Sequence, residues 1–169
     1  AFGVQNLHTV QTACKFNPNV DIVRGTDKWI DIHHHTSTAE ALAHLKSEGY
    51  RIIATTPHRE SCTPESFDVK KGKFAIVMGT EKTGISDEVM EAADEFLRIP
   101  MCGMVESLNV SACAAIIVYM LSERMRHEVE DWKMTEEEQI RTLHHWLVDT
   151  VKDAEALLKR GGFYEKSDK

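Results

Sequence analysis

The residues with most chemical promise lie between Ile76 and Tyr119. Glu106, Ser107 and Asn109 stand between an apolar strand pattern, Phe96–Ile99, and an apolar helix pattern that opens at Asn109. Polar groups in such a setting are expensive to bury unless they are paired. They are therefore candidates for a site, and Ser107 and Asn109 can also cap the helix that follows. Earlier in the stretch, Gly79-Thr80-Glu81 follows a second apolar strand pattern, and Glu81 is either a site carboxylate or a cap for its own loop. Gly79 and Gly103 lie in the two loops, and glycine lets a ligand approach the backbone closely. The chemistry this supports is capture of a small ligand in a backbone-lined pocket beside a few polar side chains. The run G-T-E-K-T-G lacks the G-x-x-x-x-G-K-[ST] spacing of a phosphate loop and is not a dinucleotide fingerprint.

Other reactive residue types are less organised. His33, His34 and His35 are consecutive, but successive strand side chains alternate faces and do not converge on one ion. His8, His44, His58, His127, His144 and His145 show no ligand spacing, so no metal is expected. Cys14, Cys62, Cys102 and Cys113 have no C-x-x-C arrangement and read as reduced thiols, which points to the cytoplasm. With 169 residues, 42% hydrophobic and 28% charged, the chain is long enough for a real core. No run approaches the roughly 18 apolar residues of a membrane span, so no membrane is expected. The net charge of −7 argues mildly against nucleic acid, although a local basic patch can coexist with that sum. Much of the acid lies in two helix patterns, Asp87–Glu95 and Glu128–Glu138, read as solvated faces. The opening on Ala1 carries no signal-peptide pattern, and residues are expected to precede it.

The elements that must position these residues alternate between strand and helix. Asn6–Gln11 alternates apolar and polar as a strand does, Phe16–Asn19 is a turn, and Lys28–His34 reads as a second strand. Ser37–Glu40 is a capping box for a helix through Lys46, with Gly49 at its stop. Tyr50–Thr56 is a strand, and Pro57–Lys71 reads as a polar surface loop. Lys73–Met78 is a strand expected to be buried on both faces, and Ser86 can cap a helix starting at Asp87. A long amphipathic helix opens at the Thr135–Glu138 capping box, carries Ile140, Leu143, Leu147, Val151, Ala154 and Leu158 on one stripe, and stops at Gly161-Gly162. The tail Phe163–Lys169 is expected to fray. Such alternation predicts an α/β fold with a mostly parallel sheet flanked by helices, and ligands then sit at the carboxyl ends of strands.

The two loop segments carry a resemblance. I-V-M-G-T-E-K-T-G-I-S (76–86) resembles the second motif of the SpoU/TrmH branch of the SPOUT RNA 2′-O-methyltransferases. I-P-M-C-G-M-V-E-S-L-N-V-S-A-C-A-A (99–115) resembles the third. A-F-G-V-Q-N-L-H at the start is similar to the segment after the family's first motif, and R-G-T-D-K-W-I (24–30) to the stretch before the second strand. The similarity covers roughly Ala1 to Arg126.

The resemblance implies a deep trefoil knot in the C-terminal part of the sheet domain, a rare departure from the rule against knots. It implies a methyltransferase domain over 1–126, without the first motif, and a C-terminal helical extension over 127–169. It implies S-adenosylmethionine held mostly by backbone, with Thr55, Gly79, Ile99, Met104 and Leu108 lining its site. Glu81, Ser107 and Asn109 would shape the catalytic site. Arg124 and Arg126, on the exposed side of their helix, read either as contacts to RNA phosphate or as a solvated helix end. The family acts as homodimers, and an arginine of its first motif, which would lie just before Ala1, is its catalytic centre. Met120 departs from the family, where many relatives carry an acidic residue. The expected activity is S-adenosylmethionine-dependent tRNA ribose 2′-O-methylation at the D-loop guanosine numbered 18. The alternatives are a related rRNA or wobble-position 2′-O-methyltransferase, a non-catalytic knotted RNA-binding module, and a nucleotide-binding protein of ordinary doubly wound topology.

Overall fold

The computed structural model describes residues 2–11, 25–57, 59–80, 83–105 and 108–161. The chain divides into two compact units, one joining Ala1–Asn17 to Ile32–Trp132 and the other joining Pro18–Asp31 to Lys133–Lys169. The expected turn at Phe16–Asn19 and the tail Phe163–Lys169 lie outside the described residues.

In chain order the first unit's elements are β1 (Asn6–Val10), β2 (Asp31–His35), α1 (Thr38–Ser47), β3 (Arg51–Thr55), β4 (Phe74–Val77), α2 (Asp87–Ala92), β5 (Glu95–Leu97) and α3 (Val110–Glu128). β1 and β2 pair with each other, and a second sheet has the order β4-β3-β5. Both of its pairings are parallel, with Ile52 opposite Ala75 on one side of β3 and Thr55 opposite Leu97 on the other. The central strand bears the apolar run Ile52-Ile53-Ala54, and all three residues are fully buried. Alternation sends Ile53 to one face, against Phe67, Leu97, Ile117 and Leu121. Ile52 and Ala54 meet Leu42, Leu45 and Val89 on the other face. β4 was expected to be buried on both faces; it is an outer strand of the sheet, and each of its residues keeps partial exposure.

The connection from β3 to β4 is less solvated than its polar composition suggests. Pro64 and Phe67 are completely buried there, and Val69 nearly so. Two guanidinium groups hold this segment down. Arg51 stacks 5.1 Å from the Phe67 ring centroid and donates to the Asp68 carbonyl at 2.9 Å. Arg124, from α3, donates to the carbonyls of Pro64 (2.8 Å) and Phe67 (2.6 Å). Cys62 extends the sheet beside β5, its N–H donating to Phe96 O and its carbonyl accepting from the Arg98 N–H, both at 3.0 Å.

The helix starts follow the sequence with two adjustments. The Ser37 hydroxyl accepts from the Glu40 N–H at 3.1 Å, but the Glu40 carboxylate takes the Thr36 N–H at 2.8 Å, so the box closes one residue early. Ser86 occupies the N-cap position of α2 without a side-chain cap bond.

The second unit comprises a 3₁₀ turn at Thr26–Trp29 and the helices α4 (Glu136–Thr150) and α5 (Ala154–Arg160). The turn uses residues expected to begin the second strand, so β2 starts at Asp31. Thr135 and Glu138 form the complete capping box of α4. The single long helix expected here is interrupted at 151–153, where Asp153 adopts φ 60°. Trp29 packs edge-on to Trp146 at 5.3 Å, and His145 Nε2 lies 3.4 Å from Asp31 and 3.5 Å from Asp149. Ile140, Leu143 and Leu147 remain exposed.

β4 leads into a loop closed on itself. Thr80 and Gly84 exchange both backbone bonds, at 3.0 and 2.9 Å, and the Thr80 hydroxyl accepts from the Thr83 N–H at 3.1 Å. Gly84 has φ +67°, and a Cβ placed on Gly79 would lie 2.3 Å from the Gly84 carbonyl carbon.

Two outcomes follow from this packing. Phe67→Ala is expected to cost about 3–5 kcal/mol in denaturant unfolding, because it empties a fully buried site. Gly79→Ala is expected to cost about 1–3 kcal/mol, because the clash is with backbone that cannot swing aside. Gly103→Ala, whose added Cβ meets nothing within 4 Å, serves as the control and should change stability by no more than about 0.5 kcal/mol.

Candidate functional site

The carboxyl ends of β3, β4 and β5 all point to one end of the sheet, because their pairings are parallel. A cavity of about 550 Å³ lies there. The end of β3 supplies Thr55 and Thr56, the loop after β4 supplies Met78, Gly79, Thr80 and Ile85, and β5 runs into Leu97–Ile99. The start of α3 closes it with Leu108, Val110, Cys113 and Ile117. Volumes of about 300–1,000 Å³ with mostly apolar walls suit a small organic ligand.

Four of the five residues expected at the cofactor site line this one cavity: Thr55, Gly79, Ile99 and Leu108. Met104 does not, and its side chain is fully exposed. Bulk at Gly79 would intrude on the facing limb of its own loop before it reached a ligand. Glu81 and Ser107 lie outside the described residues. Asn109 is the N-cap of α3, its side-chain oxygen accepting from the Ser111 N–H at 2.8 Å. That bond fixes where α3 begins, and so fixes the wall made by Val110, Cys113 and Ile117.

Side-chain polarity inside the cavity is largely used within the protein. The Thr55 hydroxyl donates to Val77 O at 3.0 Å, tying β3 to β4 at the cavity floor. The Thr80 and Thr83 hydroxyls lie 2.7 Å apart. Charge enters from two sides, with Asp87 at the start of α2 and Arg98 after β5.

Arg124 was expected on the exposed side of α3, and the structure turns it inward. Besides the two carbonyls, its Nε and Nη2 donate to the Glu128 carboxylate at 2.6 and 2.9 Å. These bonds raise the Arg124 pKa and hold the Glu128 carboxyl below its usual range. Arg126 pairs with Glu123 and donates to Phe2 O at 2.9 Å. Both guanidinium groups are thus committed within the first unit.

Thr80, at a strand end named from sequence, lines the cavity too, whereas Met78, Ile85, Cys113 and Ile117 line it and were not singled out. Helical spacing was the available signal for Cys113 and Ile117, which lie four residues apart and therefore share a face. The others needed the strand ends to be located to within a residue.

Known proteins resemble this chain in sequence and in fold. Among curated relatives, a tRNA (guanosine(18)-2′-O)-methyltransferase from Borreliella burgdorferi is 36% identical over 136 residues, 80% of this chain and 62% of its own length. The chain thus spans less than two thirds of that relative. Among solved structures, the A. aeolicus TrmH/SpoU tRNA modifying enzyme superposes with a TM-score of 0.75 at 31% identity, covering 89% of this chain and 78% of that one. The SpoU methyltransferase AviRb from Streptomyces viridochromogenes, in complex with AdoMet, has a TM-score of 0.66 at 21% identity, covering 75% and 52%. That last likeness bears on the fold alone. The family model for the SpoU rRNA methylases matches residues 1–119, from the first strand through most of α3, and the chain belongs to that family.

Proposed function

We propose that this chain is the catalytic part of an S-adenosylmethionine-dependent RNA ribose 2′-O-methyltransferase, acting on the D-loop guanosine of tRNA. One observation carries the reading. Thr55, Gly79, Ile99 and Leu108, assigned to the cofactor from two separate motifs and a strand end, line one cavity of suitable size. The relatives named for guanosine-18 methylation support the choice of substrate. The cofactor would supply a methyl group on a sulfonium, ready for attack by a ribose hydroxyl. The chain's own part is to position and to exclude water. Ile85, Ile99, Leu108 and Ile117 offer apolar walls, and backbone groups of the two glycine-bearing loops offer polar contacts. Alignment of the hydroxyl with the methyl carbon and its leaving sulfur would account for much of the acceleration.

The reading includes three further assignments. Glu81, Ser107 and Asn109 shape the catalytic site. Residues 1–126 form the knotted methyltransferase domain and 127–169 its helical extension. The active form is a homodimer, a state supported by the exposed apolar side chains of Met101, Val105 and Tyr119. In this proposal Arg124 and Arg126 brace α3 against the 64–67 segment and Phe2, since phosphate binding would require those bonds to break.

Calorimetric titration with S-adenosylmethionine and S-adenosylhomocysteine tests the reading. Saturable binding is expected, and Ile99→Trp, which fills the cavity, should weaken it at least about tenfold, equivalent to about 1.4 kcal/mol. Absence of binding by folded protein would sink the methyltransferase reading and favour an RNA-binding module without catalysis. Methylation of tRNA transcripts by a chain bearing the first motif then distinguishes the D-loop guanosine from wobble or ribosomal targets.

A further inference from the structure

Four imidazoles from three elements meet away from the cavity. His8 comes from β1, His33 and His35 from β2, and His44 from α1. His8 stacks on His33, with ring centroids 4.5 Å apart and planes 13° from parallel, and lies 5.3 Å from His35 and 5.6 Å from His44. The near-parallel rings do not converge their lone pairs. Among the described residues, no group of three or more histidine, cysteine or acidic side chains is arranged to hold a metal ion.

One contact sets the behaviour of the cluster. His8 Nδ1 and His35 Nε2 are 3.0 Å apart. Two ring nitrogens at that distance form a hydrogen bond only while one of them keeps a lone pair. On its other side, His35 Nδ1 lies 3.8 Å from the Glu40 carboxylate, beyond hydrogen-bond reach, so Nε2 is free to carry the shared proton and donate it to the Nδ1 lone pair of His8. His35 is buried, and the Gln11 N–H donates to its carbonyl at 2.9 Å, closing the end of β1 onto β2. His33 is oriented through Nε2 by the Asn6 side-chain oxygen at 3.1 Å. The groups that face His8 are therefore His33 and His35 from β2 and His44 from α1, with Glu40 behind His35. His34 belongs to the opposite side of β2, where its Nδ1 contacts Thr9 and Gln11.

We propose that His8, His33, His35 and His44 form a proton-operated latch, which holds β1 on β2 while the His8–His35 nitrogen pair shares a single proton. When His8 also takes up a proton at Nδ1, two N–H groups oppose each other across the 3.0 Å contact, and the bond between the strands is lost. The latch is separate from the cavity and does not depend on the methyltransferase reading.

The sign is set by His8. Burial first, and then the neighbouring His33, His35 and His44, lower its pKa from 6.5 to about 4. The closed strand thus binds fewer protons than the open one between those values. Closure is fully favoured above pH 6.5 and weakens as the pH falls towards 4.

Amide hydrogen exchange of Gln11, corrected for intrinsic rates, reads the latch in the intact chain. Protection is expected to fall by about tenfold per pH unit within that window, the slope of a single linked proton. His8→Gln, which can hydrogen-bond but cannot charge, should keep the neutral-pH protection and flatten the slope. A flat wild-type profile overturns the proposal. So does a slope that persists in His8→Gln and vanishes in His34→Gln, because the proton then binds on the other face. Should His8→Gln fail to fold, the NMR titration of His8 in the wild type decides: a midpoint near 4 upholds the latch, and one near the ordinary 6.5 overturns it.

Discussion

The pairing of β3 with parallel neighbours on both sides is the constraint on which the rest of the first unit depends. A strand hydrogen-bonded along both edges and covered on both faces must be apolar on both, and Ile52-Ile53-Ala54 meets that demand. Parallel pairing then requires each neighbour to be reached by a crossover, and it sends all three chains out of the sheet at one end. The cavity is a consequence of that direction. Thr55, the loop from Gly79 and the segment from Arg98 arrive together because Ala54 is level with Val77 and Thr55 with Leu97.

A three-stranded sheet has two edges to protect, and charge does much of that work. Arg51 begins the central strand and reaches across to Glu95 on β5, while its other nitrogen holds the Asp68 carbonyl. Its guanidinium plane also covers Phe67 and Phe74, so one cation serves the sheet, the connecting segment and an aromatic pair. Arg124 holds the same connecting segment from the helix side, through the carbonyls of Pro64 and Phe67. A planar group with five donors suits such corners, where carbonyls in irregular backbone need partners. Arginines on a helix that reads as exposed can therefore be interior braces.

This explains where the sequence was legible. The strands of the main sheet, the capping box at Thr135 and the cap at Asn109 are local signals, decided by residue type over a few positions. Phe67 was hidden because its neighbours are polar; its burial depends on Arg51 and Arg124, which lie 16 and 57 positions away by residue number. The break before α5 was hidden because Asp153 at positive φ leaves the apolar stripe in register on both sides. The cavity was half legible. Two motifs and a strand end named four of its walls, but Cys113 and Ile117 enter only once α3 is seated on the sheet.

The cavity's own hydroxyls sharpen its character. Thr55 spends its proton on a carbonyl of the neighbouring strand, and Thr80 spends its oxygen closing the loop that Gly84 turns. These side chains look like recognition groups in sequence, yet in the fold they set the positions of backbone. A ligand entering between the strand ends meets their methyl groups, aliphatic walls and peptide groups. Selectivity in such a site resides in the spacing of the loops more than in any one functional group. That is why a residue with no side chain at all, Gly79, is among the most constrained positions around it.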